Sequence, residues 1–186
     1  MTRIFTTLAA ADALALVAAF CVGWWSTLSH GGGDTGVSIY LLHLLLGLFA
    51  GLTTLLVHCL IFTYFLGTGR WVKEVALAYS LPDEPFYKVT RVLKRQTFPP
   101  ALAAMLVTIA AAAAGQGVEV IGWPWVLHFS LALATLAVNA WAFVIEYRNL
   151  CCNAAVLDSV LREVDRIRAE RGLPPNEVAL RESAES

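Results

Sequence analysis

A chain of 186 residues that is 58% hydrophobic and only 15% charged, with a mean hydropathy of +0.66, lies outside the range of an ordinary soluble domain. The net charge of −1 carries little information by itself, and nothing in the pattern of charges points to nucleic acid. Crossing a hydrocarbon layer of ~30 Å takes roughly 20 apolar residues in a helix, and four stretches supply that: 4–28, 37–66, 98–116 and 123–147. The sequence therefore predicts an all-α fold, a four-helix transmembrane bundle with a cytoplasmic extension of the last helix.

The first span follows Arg3. It is not a cleaved signal: Asp12 interrupts its apolar core, Phe20 is too large for the position before a processed Cys21, and "VGWWSTL" carries the stretch on to full spanning length. Asp12, Ala15, Ala19, Gly23 and His30 share one face of it. The second span, "YLLHLLLGLFAGLTTLLVHCLIFTYF", carries two histidines in an otherwise oily helix. At about 100° per residue, His43, Gly47, Gly51, Thr54 and His58 fall on one stripe, and leucine and phenylalanine cover most of the rest.

Residues 67–97 read as a basic cytoplasmic loop. "GTGRWVKEV" is expected to turn the chain and lay Trp71, Val75 and Tyr79 along the interface, with Arg70 and Lys73 toward lipid phosphates. "SLPDEP" breaks any helix, and "FYKVTRVLKRQ" reads as a second short basic helix attracted to anionic lipid. Pro99 and Pro100 are expected to open the third span, where their missing N–H groups cost nothing. That span, "ALAAMLVTIAAAAAG", is rich in small residues that let helices approach closely.

The fourth span carries His128, Ala132, Thr135, Asn139 and Glu146 on one face, and continues as a helix over 150–172. Leu150, Leu157 and Val164 recur there every seven residues, with Asn153, Val160 and Ile167 between them, a short coiled-coil stripe on which a partner is expected. Gly172 ends the helix, Pro174 and Pro175 prevent its resumption, and 173–186 is expected to be a flexible tail.

All 13 Lys and Arg lie before the first span, between the second and third, or after the fourth. The positive-inside rule therefore places both termini and the long loop in the cytoplasm of a multi-pass protein of the cell's inner membrane. Trp24, Trp25, Trp123 and Trp125 form the outer interfacial belt. Cys21 and Cys59 lie inside spans and Cys151 and Cys152 just beyond the last, positions that suit packing or acylation better than disulfides or zinc.

Ionisable groups at membrane depth mark functional sites. The second and fourth spans run in the same direction, and His43 and His128 each lie about five residues from the outer ends, so they stand at one level and can face each other. His30, Asp34 and Glu119 are close by in the outer loops. In the inner half, Asp12, His58 and Asn139 lie at similar depth, with Glu146 nearer the inner boundary, where it can reach cytoplasmic water, and Asp12 beside His58 is expected to offset the cost of burying both.

Two facing imidazoles with small residues below them suit a heme, because a flat macrocycle cannot lie against leucine at every position. His43 and His128, with Gly47, Gly51 and Ala132 one or two turns below, resemble the ligand arrangement of the four-helix b-type cytochromes, whose ligands come from two parallel helices. The resemblance covers these two helices only. It implies one heme b and membrane electron transfer. Each ligand helix of that family commonly carries two histidines about four turns apart; His43 and His58 approximate this, but the fourth helix offers Phe143 where the second partner belongs, so a second heme is not expected.

Other readings stand beside it. His43 and His128 can be neutral, hydrogen-bonded residues that hold a structural or assembly subunit in register, with no cofactor. With His30 and Asp34 or Glu119 they can bind zinc or copper. Asp12, His58, Asn139 and Glu146 can move protons or ions. No Ser/His/Asp or Cys/His set can be placed at an accessible site, so no catalytic residue is assigned and catalysis by the chain alone is not expected. Membrane lipids, and a larger complex or a homo-oligomer formed through 150–172, are the expected partners.

Overall fold

A computed structural model describes residues 1–28, 34–176 and 178, with the side chains of all of these except 34–38. Four helices follow in order: α1 (Thr2–Leu28), α2 (Asp34–Tyr79), α3 (Tyr87–Ile121) and α4 (Trp125–Glu170). The fold is all-α, without a strand among the described residues. Each helix is long and apolar enough to cross a membrane. The chain divides into two compact units, Met1–Phe62 with Thr97–Tyr147, and Thr63–Gln96 with Arg148–Ser186.

The first unit inverts the usual order of a folded core. Leucines cover its outside, among them Leu14, Leu48, Leu52, Leu106 and Leu133, while Asp12, Thr54, His58, Thr108, Thr135, Asn139 and Glu146 are buried. Polar groups inside an apolar surface are what a lipid environment selects, because only the interior offers them partners. Small residues make the close approach possible: Ala101, Ala104, Ala111 and Ala114 are all buried along α3, and Leu16, Ala19 and Ala50 form an apolar cluster where α1 meets α2.

The second unit has a conventional core of Val72, Phe86, Val160 and Val164, flanked by Val75, Tyr79 and Leu157. It revises three sequence expectations. Residues 67–97 are mostly helical: α2 continues through Gly67 and Gly69 to Tyr79. Two glycines cost a helix about 1 kcal/mol each, and burial of Val72 with Val75 and Tyr79 beside it offsets this. The turn comes instead at Ser80, which takes a left-handed φ of 54° while Leu81 N–H bonds the Ala76 carbonyl at 2.9 Å.

The basic segment from Tyr87 is the beginning of α3 and not a separate helix, so Pro99 and Pro100 lie inside it. They deprive the carbonyls one turn earlier of donors, yet Thr97, Ala101 and Ala104 continue one buried face past them. Third, the stripe of 150–172 is covered by its own chain. Leu150, Asn153, Val160 and Val164 are buried, and Val160 and Val164 pack on Val72 and Phe86. A heptad pattern does not say whether the surface it fits belongs to the same chain. Gly172, with φ 68°, caps the end of α4, Leu173 N–H returning to the Arg168 carbonyl at 2.9 Å. Of the expected tail, 173–176 and 178 are described, and Asn176 N–H bonds Asp165 Oδ1 at 2.8 Å; residue 177 and residues 179–186 lie outside the described residues.

Within the first unit, helices α2 and α4 run parallel, meeting at a sequence offset of 85 residues. His43 meets His128 and His58 meets Phe143 in the first unit, and Thr68 meets Asn153 in the second.

Candidate functional site

The parallel register brings His43 of α2 and His128 of α4 to one level, their ring centroids 6.0 Å apart and their planes at 66°. Each imidazole is also tied to the helix preceding its own. His43 Nδ1 lies 3.0 Å from the Ala19 carbonyl on α1, and His128 Nδ1 lies 2.9 Å from the Ala111 carbonyl on α3. A carbonyl only accepts, so both Nδ1 atoms are N–H donors, and a neutral ring then keeps its lone pair on Nε2.

The two arms share one local device. A helical carbonyl points toward the residue four positions on, and at both acceptors that residue is glycine: Gly23 after Ala19, Gly115 after Ala111. A Cβ on Gly23 would stand 2.5 Å from His43 Cε1, and one on Gly115 would stand 3.0 Å from His128 Cε1. Each ring thus rests on bare backbone, with no room for a methyl group at Gly23 and little at Gly115. The expected glycines behave differently. At Gly47 a Cβ would meet nothing within 4 Å, and at Gly51 only Thr108 Cγ2 at 4.0 Å, which leaves an open strip on α2 below His43. Phe129, next to His128, gathers Phe20, Trp24 and Trp125 at centroid distances of 5.8, 5.5 and 5.9 Å.

About 22 Å further along α2, at 1.5 Å per residue, His58 sits at the centre of a second, fully buried cluster. Its Nδ1 is 2.6 Å from Glu146 Oε1 and its Nε2 is 3.0 Å from Asn139 Oδ1. Asn139 spends both N–H groups elsewhere, on Thr108 Oγ1 at 3.1 Å and on the Thr135 carbonyl at 2.8 Å, which leaves its oxygen to accept from His58. Thr108 in turn gives its proton to the Ala104 carbonyl at 2.8 Å. Nε2 therefore carries hydrogen, and the short contact to Glu146 holds one further proton between nitrogen and oxygen. Phe143 stacks on the ring at 5.4 Å and 18°. Glu146 Oε2 is buried and has no hydrogen-bond partner among the described residues.

Asp12 is not the partner of His58. Its carboxylate accepts from Thr53 Oγ1 at 2.7 Å and from Thr54 Oγ1 at 2.9 and 3.1 Å, one turn before His58 on α2. The hydroxyls reach it because Thr53 and Thr54 sit directly opposite on α2, whereas Glu146 approaches the imidazole from α4. Glu146 is fully buried and does not reach out to water. The sequence reading placed Asp12, His58 and Asn139 at one depth, with Glu146 nearer the inner boundary, but missed Thr53, and it missed Gly115; the repeated Ala-x-x-x-Gly spacing on α1 and α3 was the available signal for the histidine seats.

Of the expected metal ligands, His30 and the side chain of Asp34 lie outside the described residues, and Glu119 is exposed on α3. Among the described residues, no group of three or more His, Cys, Asp or Glu could hold a metal ion. None of the four cysteines forms a disulfide among the described residues. The described donor set is thus two imidazoles. A bare zinc or copper ion needs three or four protein ligands, whereas heme iron, already bound by four macrocycle nitrogens, needs at most two.

No protein-family model, no curated protein and no solved structure matches this chain.

Proposed function

We propose that the chain is a multi-pass integral protein of the cell's inner membrane, with both termini and the basic segment 67–97 cytoplasmic, and that it carries electrons through one heme b held by His43 and His128. Three features support the membrane placement: four apolar helices, the outward leucines of the first unit, and the confinement of all 13 Lys and Arg to one side of the spans. Residues 150–172, helical to Glu170, are then the cytoplasmic extension of the last span. The protein works as a subunit of a larger membrane complex or as a homo-oligomer, through surfaces other than the stripe it buries itself.

The observation that carries the heme reading is the pair of imidazoles 6.0 Å apart, each fixed by a backbone carbonyl through Nδ1. Imidazole nitrogens bind metals at ~2.0–2.1 Å, so two rings this close, each with Nε2 left as its lone-pair nitrogen, would be able to share one metal. When bound, the heme supplies a one-electron iron couple. The chain's own residues do the rest. Ala19 and Ala111 set the tautomer and raise the donor strength of Nε2, Gly23 and Gly115 admit the rings, and the strip beside Gly47 and Gly51 leaves room for a flat group. Titration of the purified protein with hemin tests this: saturation at one hemin per chain, lost in both His43→Ala and His128→Ala, is the expected result. Saturating binding that survives both substitutions would refute it.

A second reading has its own observation. The bonds from His43 to Ala19 and from His128 to Ala111 fasten α2 to α1 and α4 to α3, each worth on the order of 1 kcal/mol in a membrane, as a cofactor-free assembly subunit would use them. A protein that takes up no hemin and loses thermal stability in His43→Ala or His128→Ala would favour it. Zinc or copper transport and proton movement through the His58 cluster rank below both.

A further inference from the structure

In the second unit, a groove of about 350 Å³ lies between α2 and α3, walled by Arg70 and Lys73 on one side and Arg91 and Lys94 on the other, with Leu66 and Tyr87 as its apolar part. Each helix contributes two cations three residues apart, an arrangement that destabilises a helix on its own because like charges share a face. Neighbouring cations have partners: Arg70 Nε bonds Glu74 at 2.8 Å, and Lys88 pairs with Glu84. Lys73, Arg91 and Lys94 have no salt bridge among the described residues; Arg91 only leans over the Tyr87 ring, 5.8 Å from its centroid. Gly69 lines the same groove, and a Cβ there would meet nothing within 4 Å.

Three cations without an acidic partner, converging on one open groove, point to an anion from outside the chain. The groove also lies where α2 passes from its apolar stretch, which ends at Leu66, into its charged one. We propose that it holds the phosphate of one anionic phospholipid, with Lys73, Arg91 and Lys94 around the headgroup and Leu66 and Tyr87 along the start of an acyl chain. This rests on the chain being embedded in a membrane, which resistance to alkaline carbonate extraction tests separately. Free phosphate offers the same oxygens but gains nothing from Leu66 and Tyr87, which is why the lipid is the assigned source.

The test uses the full chain in detergent, delipidated and then titrated with phosphatidylglycerol, phosphatidylcholine or inorganic phosphate, with bound lipid counted by native mass spectrometry. The expected result is one phosphatidylglycerol retained at least tenfold better than phosphatidylcholine. The Lys73→Gln, Arg91→Gln, Lys94→Gln triple variant is expected to lose on the order of 100-fold in affinity, since each cation near anionic lipid contributes roughly fivefold. A control triple variant, Arg148→Gln, Arg162→Gln, Arg171→Gln, removes the same charge elsewhere and is expected to bind like the parent. Gly69→Phe fills the groove without altering charge and is expected to abolish the selective lipid while leaving helix content unchanged. Equal losses in the two triple variants would show diffuse attraction and overturn the site, as would undiminished binding in Gly69→Phe. Inorganic phosphate that binds as tightly as the lipid and displaces it would overturn the lipid as ligand.

Discussion

The seat of His43 is stringent and that of His128 is lenient, although the two look alike in sequence. In Gly23→Ala the new methyl stands 2.5 Å from His43 Cε1, 2.9 Å from Nδ1 and 3.1 Å from Nε2. Ordinary carbon contacts are about 3.5–4.0 Å, so the ring must withdraw by about 1 Å. That carries Nδ1, now 3.0 Å from the Ala19 carbonyl, beyond hydrogen-bonding reach. The lost bond is worth on the order of 1 kcal/mol and the crowding costs about 1–3 kcal/mol. Removing glycine from a helix interior returns about 1 kcal/mol, so the net loss is about 1–3 kcal/mol. In Gly115→Ala the nearest contact is 3.0 Å, which a shift of a few tenths of an ångström relieves, so the bond to Ala111 survives and the net change is near zero. The unfolding temperature followed by circular dichroism should therefore fall by roughly 2–12 °C for Gly23→Ala, at about 2–4 °C per kcal/mol, and stay within a few degrees for Gly115→Ala. Hemin bound per chain should drop only in the former. Equal effects, or the reverse order, would refute the claim that these glycines seat the imidazoles.

Gly47→Leu places a large side chain where the protein itself offers no contact within 4 Å; the expected outcome is an unchanged unfolding temperature with loss of hemin, whereas retained hemin would show that the strip is not used. Glu146→Ala removes the partner of a fully buried imidazole and is expected to cost about 3–5 kcal/mol, as removal of one member of a buried pair does, while Glu146→Gln, whose amide N–H can donate to the bare Nδ1 of a neutral His58, should cost clearly less; denaturant unfolding measures both, and equal costs would argue against the His58–Glu146 hydrogen bond. Asn153→Ala removes the donor to Tyr64 Oη and Thr68 Oγ1 and is expected to cost about 1–3 kcal/mol; a neutral result would show that this buried amide, whose Oδ1 has no partner among the described residues, contributes nothing net.

The helices and their inward faces were legible because apolar length and the 3.6-residue period act locally. The common level of His43 and His128 followed from counting along two spans of the same direction. What the sequence concealed depends on neighbours. Asp12 could be placed at the depth of His58, but only the packing of α1 against α2 shows Thr53 and Thr54 taking its oxygens while Glu146 comes from α4. Gly67 and Gly69 looked like a turn because glycine marks one in isolation, and tertiary burial of Val72 outweighs that preference. The stripe through Leu150, Val160 and Val164 announced a partner surface without saying that Val72 and Phe86 of the same chain would cover it. Gly23 and Gly115 do their work through rings on other helices, so the Ala-x-x-x-Gly spacing on α1 and α3 gains its meaning only once His43 and His128 are packed on it.

The central claim is that two imidazoles from α2 and α4 share one metal-bearing macrocycle. It is tested most directly by the dithionite-reduced minus oxidised absorption spectrum of the purified protein and of its His43→Ala and His128→Ala variants. The expected result is a sharp Soret band in the parent that shifts on reduction and is lost or strongly altered in both variants. A parent protein that stays colourless when hemin is supplied during its synthesis, or a Soret band unchanged by either substitution, would contradict the account.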